Sequence, residues 1–249
     1  MSCADGAVLG AFDAADTARG GDCRLDLTLN RYCGKDAAHV VVPAGVREIA
    51  PGAFRRHREI VSVDLPEGLE AIGDEAFRGC LALERVNLPS TLSHLGRRAF
   101  RNCTGLRRVD IPTGVEVVPE GAFGQCTALE AVTGGSGVYG ICEDAFAGCK
   151  SLERCEPLLF ALDVGRHAFS WCTAMAPPVL PDEMVYLGDE AFRHCLGFDR
   201  MRMPERMGHL GARVFAGCSN LVAIEAAPSL VAQSPEAFPD WFLEDLRAT

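Results

Sequence analysis

The sequence predicts a repeat solenoid, a coil of short stacked units with a parallel β-sheet on one face and short helical or 3-10 turns on the other. Three observations predict it. First, Phe54, Phe77, Phe100, Phe123, Phe146, Phe169, Phe192, Phe215 and Phe238 recur every 23 residues, so most of the 13 phenylalanines lie on one lattice. Alanine precedes each of them except Phe215, which follows Val214. Second, Cys80, Cys103, Cys126, Cys149, Cys172, Cys195 and Cys218 each lie three residues after a lattice phenylalanine. Third, His57 and Trp241 take that column in the first and last units. Terminal units are expected to be atypical, because one of their faces meets water.

The unit from Pro66 to Leu88 shows the elements in order. Its apolar skeleton is Leu69, Ile72, Ala76, Phe77, Cys80, Leu83, Val86 and Leu88, a spacing that no single helix or strand has. Gly73 marks a tight turn. Asp74 and Glu75 precede Ala76-Phe77 as acids precede a first helical turn. Val86 and Leu88 alternate with Arg85 and Asn87, which is the strand period, and Pro89 ends the strand. One unit cannot bury this skeleton alone; stacked units bury it as a continuous ladder.

Leu83-Glu-Arg-Val86-Asn-Leu88 reads LxxVxL, the core of a leucine-rich repeat. The whole pattern, Ala-Phe, then Cys, then LxxVxLP, resembles the BspA-like class of leucine-rich repeats over residues 23–241. The resemblance implies a right-handed leucine-rich-repeat superhelix. The segment from Leu25 through Gly34 and then Val40 to Pro43 looks like the start of such arrays. The expected organisation is a non-repeat segment at 1–22, cap strands at 23–42, about nine units at 43–239 and a C-terminal cap at 240–249. In that cap Trp241, Phe242, Leu243 and Leu246 form an amphipathic stretch over the last unit. Residues 1–22 read either as a short capping helix or as loosely ordered chain.

Composition narrows the function. A net charge of -10 argues against nucleic-acid binding, whose footprint is basic. No run approaches the length of a membrane-spanning helix, so no insertion into a membrane is expected. Met1–Gly10 has no basic region before an apolar stretch, so the chain as written reads as cytoplasmic. The 12 cysteines include no CxxC and no Cys/His cluster with zinc-ligand spacing, so no metal is expected. Lattice cysteines in stacked units point in parallel, with β-carbons too far apart for a relaxed bridge, so they read as free thiols in the core. A bridge between Cys23 and Cys33 is an alternative open only to a secreted protein. No GxSxG and no phosphate-binding glycine loop appears, and no cofactor or catalysis is expected. The Gly134–Gly137 segment sits where a strand end and its proline belong, a degenerate repeat rather than a phosphate cradle.

Recognition on a solenoid lives in the variable positions between skeleton residues. The positions flanking the strand valine project from the sheet. One column carries Arg85, Arg108, Arg154 and Arg200; the other carries Asp64, Asp110 and Glu156. These stripes read as charge pairs along and between strands, or as a polar recognition face. The middle units depart from the pattern and carry Tyr139, Phe160, Trp171 and Tyr186 at exposed-type positions. Surface aromatics are enriched at binding hot spots, and Tyr139 and Phe160 are placed for their side chains to meet. The expected function is non-catalytic recognition by a monomer. The family resemblance implies a protein or surface-glycan partner and a cell-surface or secreted adhesion role. The alternative is an intracellular scaffolding array.

Overall fold

A computed structural model describes residues 12–16, 27–32, 37–205 and 207–248. Each repeat forms one coil with three parts. The LxxVxL segments form a parallel ladder from His39–Val41 through Ser62–Asp64, Arg85–Asn87, Arg108–Ile111 and Ala131–Gly134 to Arg154–Cys155. It resumes with Arg200–Arg202 and Ala223–Glu225. The register is one full repeat, Val63 beside Val86 and Val109 beside Val132. The gap falls at Pro177-Pro178, where two residues without an N–H cannot donate to a ladder.

A second set of parallel strands, absent from the sequence expectation, runs along another side as a ladder in two sheets that part between His94–Leu95 and Val117–Val118. It includes Val46–Ile49, Ala71–Ile72, His94–Leu95, Val117–Val118, Gly140–Ile141, Asp163–Val164, Tyr186–Leu187 and His209–Leu210. In most of these strands the last residue is buried and the one before it faces outward. Leu27–Tyr32 starts this ladder, and Phe12–Asp16 pairs with it antiparallel. So 12–16 are a strand, and the rest of 1–22, where a capping helix or loosely ordered chain is expected, lies outside the described residues.

The Ala-Phe segments form the third part. Their turns close with i+3 bonds, such as Ala76 N–H to Gly73 O (3.2 Å) and Cys80 N–H to Phe77 O (3.2 Å). Alternate amides instead bond the next coil: Glu75 to Arg97 O, Phe77 to Ala99 O and Gly79 to Arg101 O, each 2.8 Å. Two left-handed residues per coil make this possible, here Glu75 (φ 56°) and Gly79 (φ 77°). The turn side is therefore a third inter-coil ladder. Continuous 3-10 helix is confined, among the described residues, to Glu156–Leu159 and Pro235–Ala237.

Phenylalanine fills the centre. From Phe54 to Phe192 the lattice rings stack on one another with centroids 4.7–5.6 Å apart and planes within 19°. That spacing is close to the strand separation, so one residue type serves every coil. Tyr32 continues the stack at the start, 5.3 Å from Phe54. At the other end Phe238 pairs with Phe242 of the cap (5.3 Å). There helices α1 (Pro228–Gln233) and α2 (Asp240–Ala248) replace strands. In α2 Phe242 is buried, Trp241 and Leu243 are half-buried and Leu246 is exposed.

The cysteine column is a hydrogen-bond ladder as well as core. Each lattice thiol donates to the carbonyl of the phenylalanine 26 residues earlier, from Cys80 Sγ to Phe54 O (3.0 Å) through Cys218 Sγ to Phe192 O (3.0 Å). All nine cysteines among the described residues are free. Cys3, Cys23 and Cys33 lie outside the described residues, as does the bridge considered for the last two. Burial pushes the Cys126 thiol up to about 12, so at neutral pH it is a protonated donor. Cys142 is only partly covered. Thiolates react and buried thiols do not. We expect iodoacetamide at about pH 8 to label Cys142 in the folded protein and to spare the lattice cysteines; at Cys126 the thiolate fraction is then roughly one in ten thousand. Peptide mapping by mass spectrometry checks this; labelling of Cys126 as fast as Cys142 would contradict the ladder.

One charged cluster sits on the turn side. Glu190 is buried and receives bonds from Arg193 Nη1 (2.7 Å) and His167 Nε2 (3.2 Å) and an ion pair from Arg213. Burial alone would raise its carboxyl, but the bonds and charges from Arg193, His167 and Arg213 outweigh it and hold the group below its ordinary value. Its contribution is therefore present above the ordinary carboxylate range and is lost as pH falls through the depressed value. Glu190→Gln should lose about 2 kcal/mol at neutral pH. Urea unfolding at neutral pH and at strongly acid pH should show that difference shrink in acid.

Candidate functional site

The most informative column is the residue just before each two-residue strand of the second ladder, with Arg47 as its equivalent inside Val46–Ile49. Backbone bonds fix its register: Glu70 N–H to Arg47 O, Ser93 to Glu70, Tyr139 to Glu116, Leu162 to Tyr139, Val185 to Leu162 and Gly208 to Val185, at 2.8–3.0 Å. In four successive coils the column is polar, Arg47, Glu70, Ser93 and Glu116. In the next three it is Tyr139, Leu162 and Val185, and all three are exposed, Tyr139 at 47% and Val185 at 52%. An apolar stripe three coils long thus faces solvent.

The stripe continues along the chain into the break in the first ladder. Phe160 and Leu159 are exposed at the end of the Glu156–Leu159 turn. Leu158 and Leu159, with Cys155, Met175, Pro177 and Val179, line a cleft of about 240 Å³. Across the Pro178–Pro181 segment lies a second, of about 330 Å³, with Leu180, Met203 and Pro204 in its wall. Val179 stands between them, 72% exposed. Exposed apolar side chains grouped in this way make the stripe and its clefts the candidate interaction surface. A larger cleft, about 870 Å³, lies between the last coil and α2, lined by Phe215, Phe238 and Trp241. It is the gap left where helices replace strands.

Tyr139, Phe160 and Tyr186 fall on or beside this stripe. Tyr139 and Phe160 make no ring contact; Tyr186 stacks on His209 instead (4.7 Å). Trp171 is elsewhere. It lies on the turn side in a left-handed column (φ 65°) that also holds Gly79, Asn102, Gly148 and His194, and it stacks on His194 at 4.0 Å. Leu162, Val185, Leu159 and Val179 were not anticipated.

Arg85, Arg108, Arg154 and Arg200 are exposed on the first ladder, as are Asp64, Asp110 and Glu156. The two stripes do not pair with each other in the way their adjacency suggests. Arg108 reaches Glu130 (3.8 Å) and Arg200 reaches Asp199 (3.6 Å). Asp64 meets His39 (3.3 Å), Asp110 accepts from Thr133 Oγ1 (2.8 Å), and Glu156 accepts the Gly134 N–H (2.9 Å). Residues two apart on a strand are separated by about 7 Å, farther than a neighbour in the next coil. Gly134 itself is required there: at φ 72° a β-carbon would lie 2.5 Å from Ile111 O.

His39 bridges Ser62 Oγ (2.7 Å) and Asp64 (3.3 Å). The residue types are those of a nucleophile relay, but the setting opposes that chemistry. The Val61 and Ser62 amides both bond Ala38 O, so neither is available to an oxyanion, and the side chains of His39 and Asp64 are more than half exposed. The contact is a polar rung of the ladder. Among the described residues no group of three or more His, Cys, Asp or Glu is placed to hold a metal ion. No described helix is long and apolar enough to cross a membrane.

Comparison with known proteins agrees with this architecture. The family profile described as BspA type leucine-rich repeat region matches residues 28–153 and 162–247, in six copies. Among solved structures, a leucine-rich repeat protein from Bacteroides ovatus is 23% identical with a TM-score of 0.61, over 80% of this chain and 58% of that one. The chain thus spans under two thirds of that protein's length. The T. pallidum leucine-rich repeat protein is 24% identical over 96% of this chain and 94% of its own, with a TM-score of 0.44. A leucine-rich cell surface protein from Faecalibacterium prausnitzii is 18% identical over 92% and 97%, with a TM-score of 0.45. No curated protein matches the chain.

Proposed function

The chain belongs to the BspA-type leucine-rich-repeat family, and from that premise we propose that it is a non-catalytic module that binds another protein through the apolar stripe and the adjoining clefts. The observation that carries this is the column switch, polar through Glu116 and then apolar at Tyr139, Leu162 and Val185. Stacking requires no apolar residue at that position, since four other coils do without one. Aliphatic side chains at its centre favour a protein over a glycan, whose hydroxyls need hydrogen-bond partners there. The partner is met at the cell surface or after secretion, the setting the family resemblance implies, with a scaffolding role inside the cell as the alternative.

Affinity capture from the native host tests the reading. Leu162→Ser with Val185→Ser should lose a specific partner at least tenfold, about 1.4 kcal/mol or more, while circular dichroism stays unchanged. A partner retained equally by this variant would remove the stripe from the account. Protease shaving of intact cells separates the two locations: loss of the chain supports the surface role, and protection assigns the same face to an intracellular partner.

A further inference from the structure

Several acids elsewhere on the coil are neutralised by neighbours. Glu70 pairs with Arg47, Glu75 with Arg55 and Arg78, Glu120 with Arg98, and Glu130 with Arg107. Around the apolar stripe acids gather without such partners. Glu116 heads the column, Asp163 follows Leu162, Asp182 and Glu183 precede Val185, and Glu205 lies one coil on. All five are exposed, and none of them makes an ion pair. The cations at the adjoining clefts are Arg202, in the wall that also holds Asp182, and Arg154, beside Glu153 and Glu156.

An apolar strip within a predominantly acidic rim selects its partner by charge. Nucleic acid and anionic membrane are repelled by it. A second copy of the chain, meeting stripe to stripe, would bring two acidic rims together, which disfavours self-association. Resting on the protein-binding reading above, we propose that the occupant is a protein segment with aromatic or aliphatic anchor residues flanked by lysine or arginine. The anchors cover Tyr139, Leu162 and Val185, and the flanking cations meet Asp163, Asp182 and Glu183. Charge of this kind raises the association rate and rejects wrong partners more than it adds affinity.

Phage-displayed random peptides, panned on the immobilised full chain at low salt, test this. The Leu162→Ser, Val185→Ser variant serves as the target for counter-selection. Enriched sequences should combine apolar residues with lysine or arginine. A synthetic peptide of the enriched sequence should bind about tenfold more weakly at about 0.5 M NaCl. It should weaken by a similar factor on an Asp163→Asn, Asp182→Asn, Glu183→Gln variant. Acidic or neutral enriched sequences would overturn the proposal, as would binding indifferent to salt and to those neutralisations. Peptides that bind the counter-target equally well would instead overturn the stripe as a binding surface, so the two failures are distinguishable. Retention of anionic vesicles or of single-stranded DNA by the wild-type chain, lost in the stripe variant, would also overturn the charge assignment.

Discussion

Phe123→Ala is expected to destabilise the protein by about 3–5 kcal/mol, measured by urea unfolding. Phe123 is fully buried, with Phe100 5.5 Å away on one side and Phe146 5.4 Å on the other. Removing the ring leaves a void that both neighbours line, and the ladders on three sides of the coil resist collapse into it. Each coil touches only its neighbours, so the loss falls on two interfaces at once. Phe238→Ala is the matched control. Phe238 lies off the stack and contacts the cap through Phe242, so its removal weakens one terminal interface and should cost distinctly less. Equal losses for the two variants would contradict a stability carried by the stack.

Gly96→Val should cost roughly 3 kcal/mol, for a different reason. Gly96 is buried and has no left-handed φ, so valine is not excluded by backbone conformation. The obstacle is the neighbouring coil: a β-carbon at this position would lie 2.3 Å from the Gly73 carbonyl carbon and 2.4 Å from the Asp74 nitrogen. Relief requires the two coils to part, which strains the Gly96 N–H to Ile72 O bond (2.7 Å) and the Arg97 N–H to Asp74 Oδ1 bond (2.7 Å). Weakening one internal interface of a nearest-neighbour array also lowers its cooperativity. Gly140→Ala supplies the contrast, because its added β-carbon would meet nothing closer than 3.7 Å. The pair can be compared by thermal unfolding. An unchanged midpoint in Gly96→Val would mean that the coils are not in contact there.

The solenoid was legible because its largest buried side chain recurs on one spacing. Phe77, Cys80, Leu83 and Val86 are committed to the interior, and their types show it. The second ladder was not legible, since its strands are mostly two residues long and contribute one buried side chain each, too little for a period to appear. The left-handed columns were hidden for another reason. They hold Glu75, Arg98, His167, Trp171 and Glu190 among others, and these types do not announce φ above zero. Only the glycines at 52, 79, 121, 148 and 217 hint at it.

The candidate site was half legible. Tyr139, Phe160 and Tyr186 stood out because aromatics at variable positions are conspicuous. Leu162 and Val185 did not, because an aliphatic residue in a repeat protein reads as core. The signal was present in the column Arg47, Glu70, Ser93, Glu116, Tyr139, Leu162, Val185, where polar residues give way to apolar ones. Reading it required knowing that this column faces outward, which follows from the second ladder. Trp171 was grouped with the other aromatics for its type, and the coil carries it to another side.

The most direct test of the account is site-specific photocrosslinking in cells of the native host. A benzophenone side chain at position 162 keeps the stripe apolar; the same group at position 104, where Thr104 lies between Cys103 and the Arg108–Ile111 strand of the first ladder, is the comparison. The account predicts a discrete crosslinked protein species from position 162 that is absent from position 104 and lost when Val185 is changed to Ser. Crosslinks of equal yield from both positions, or none from 162, would contradict it.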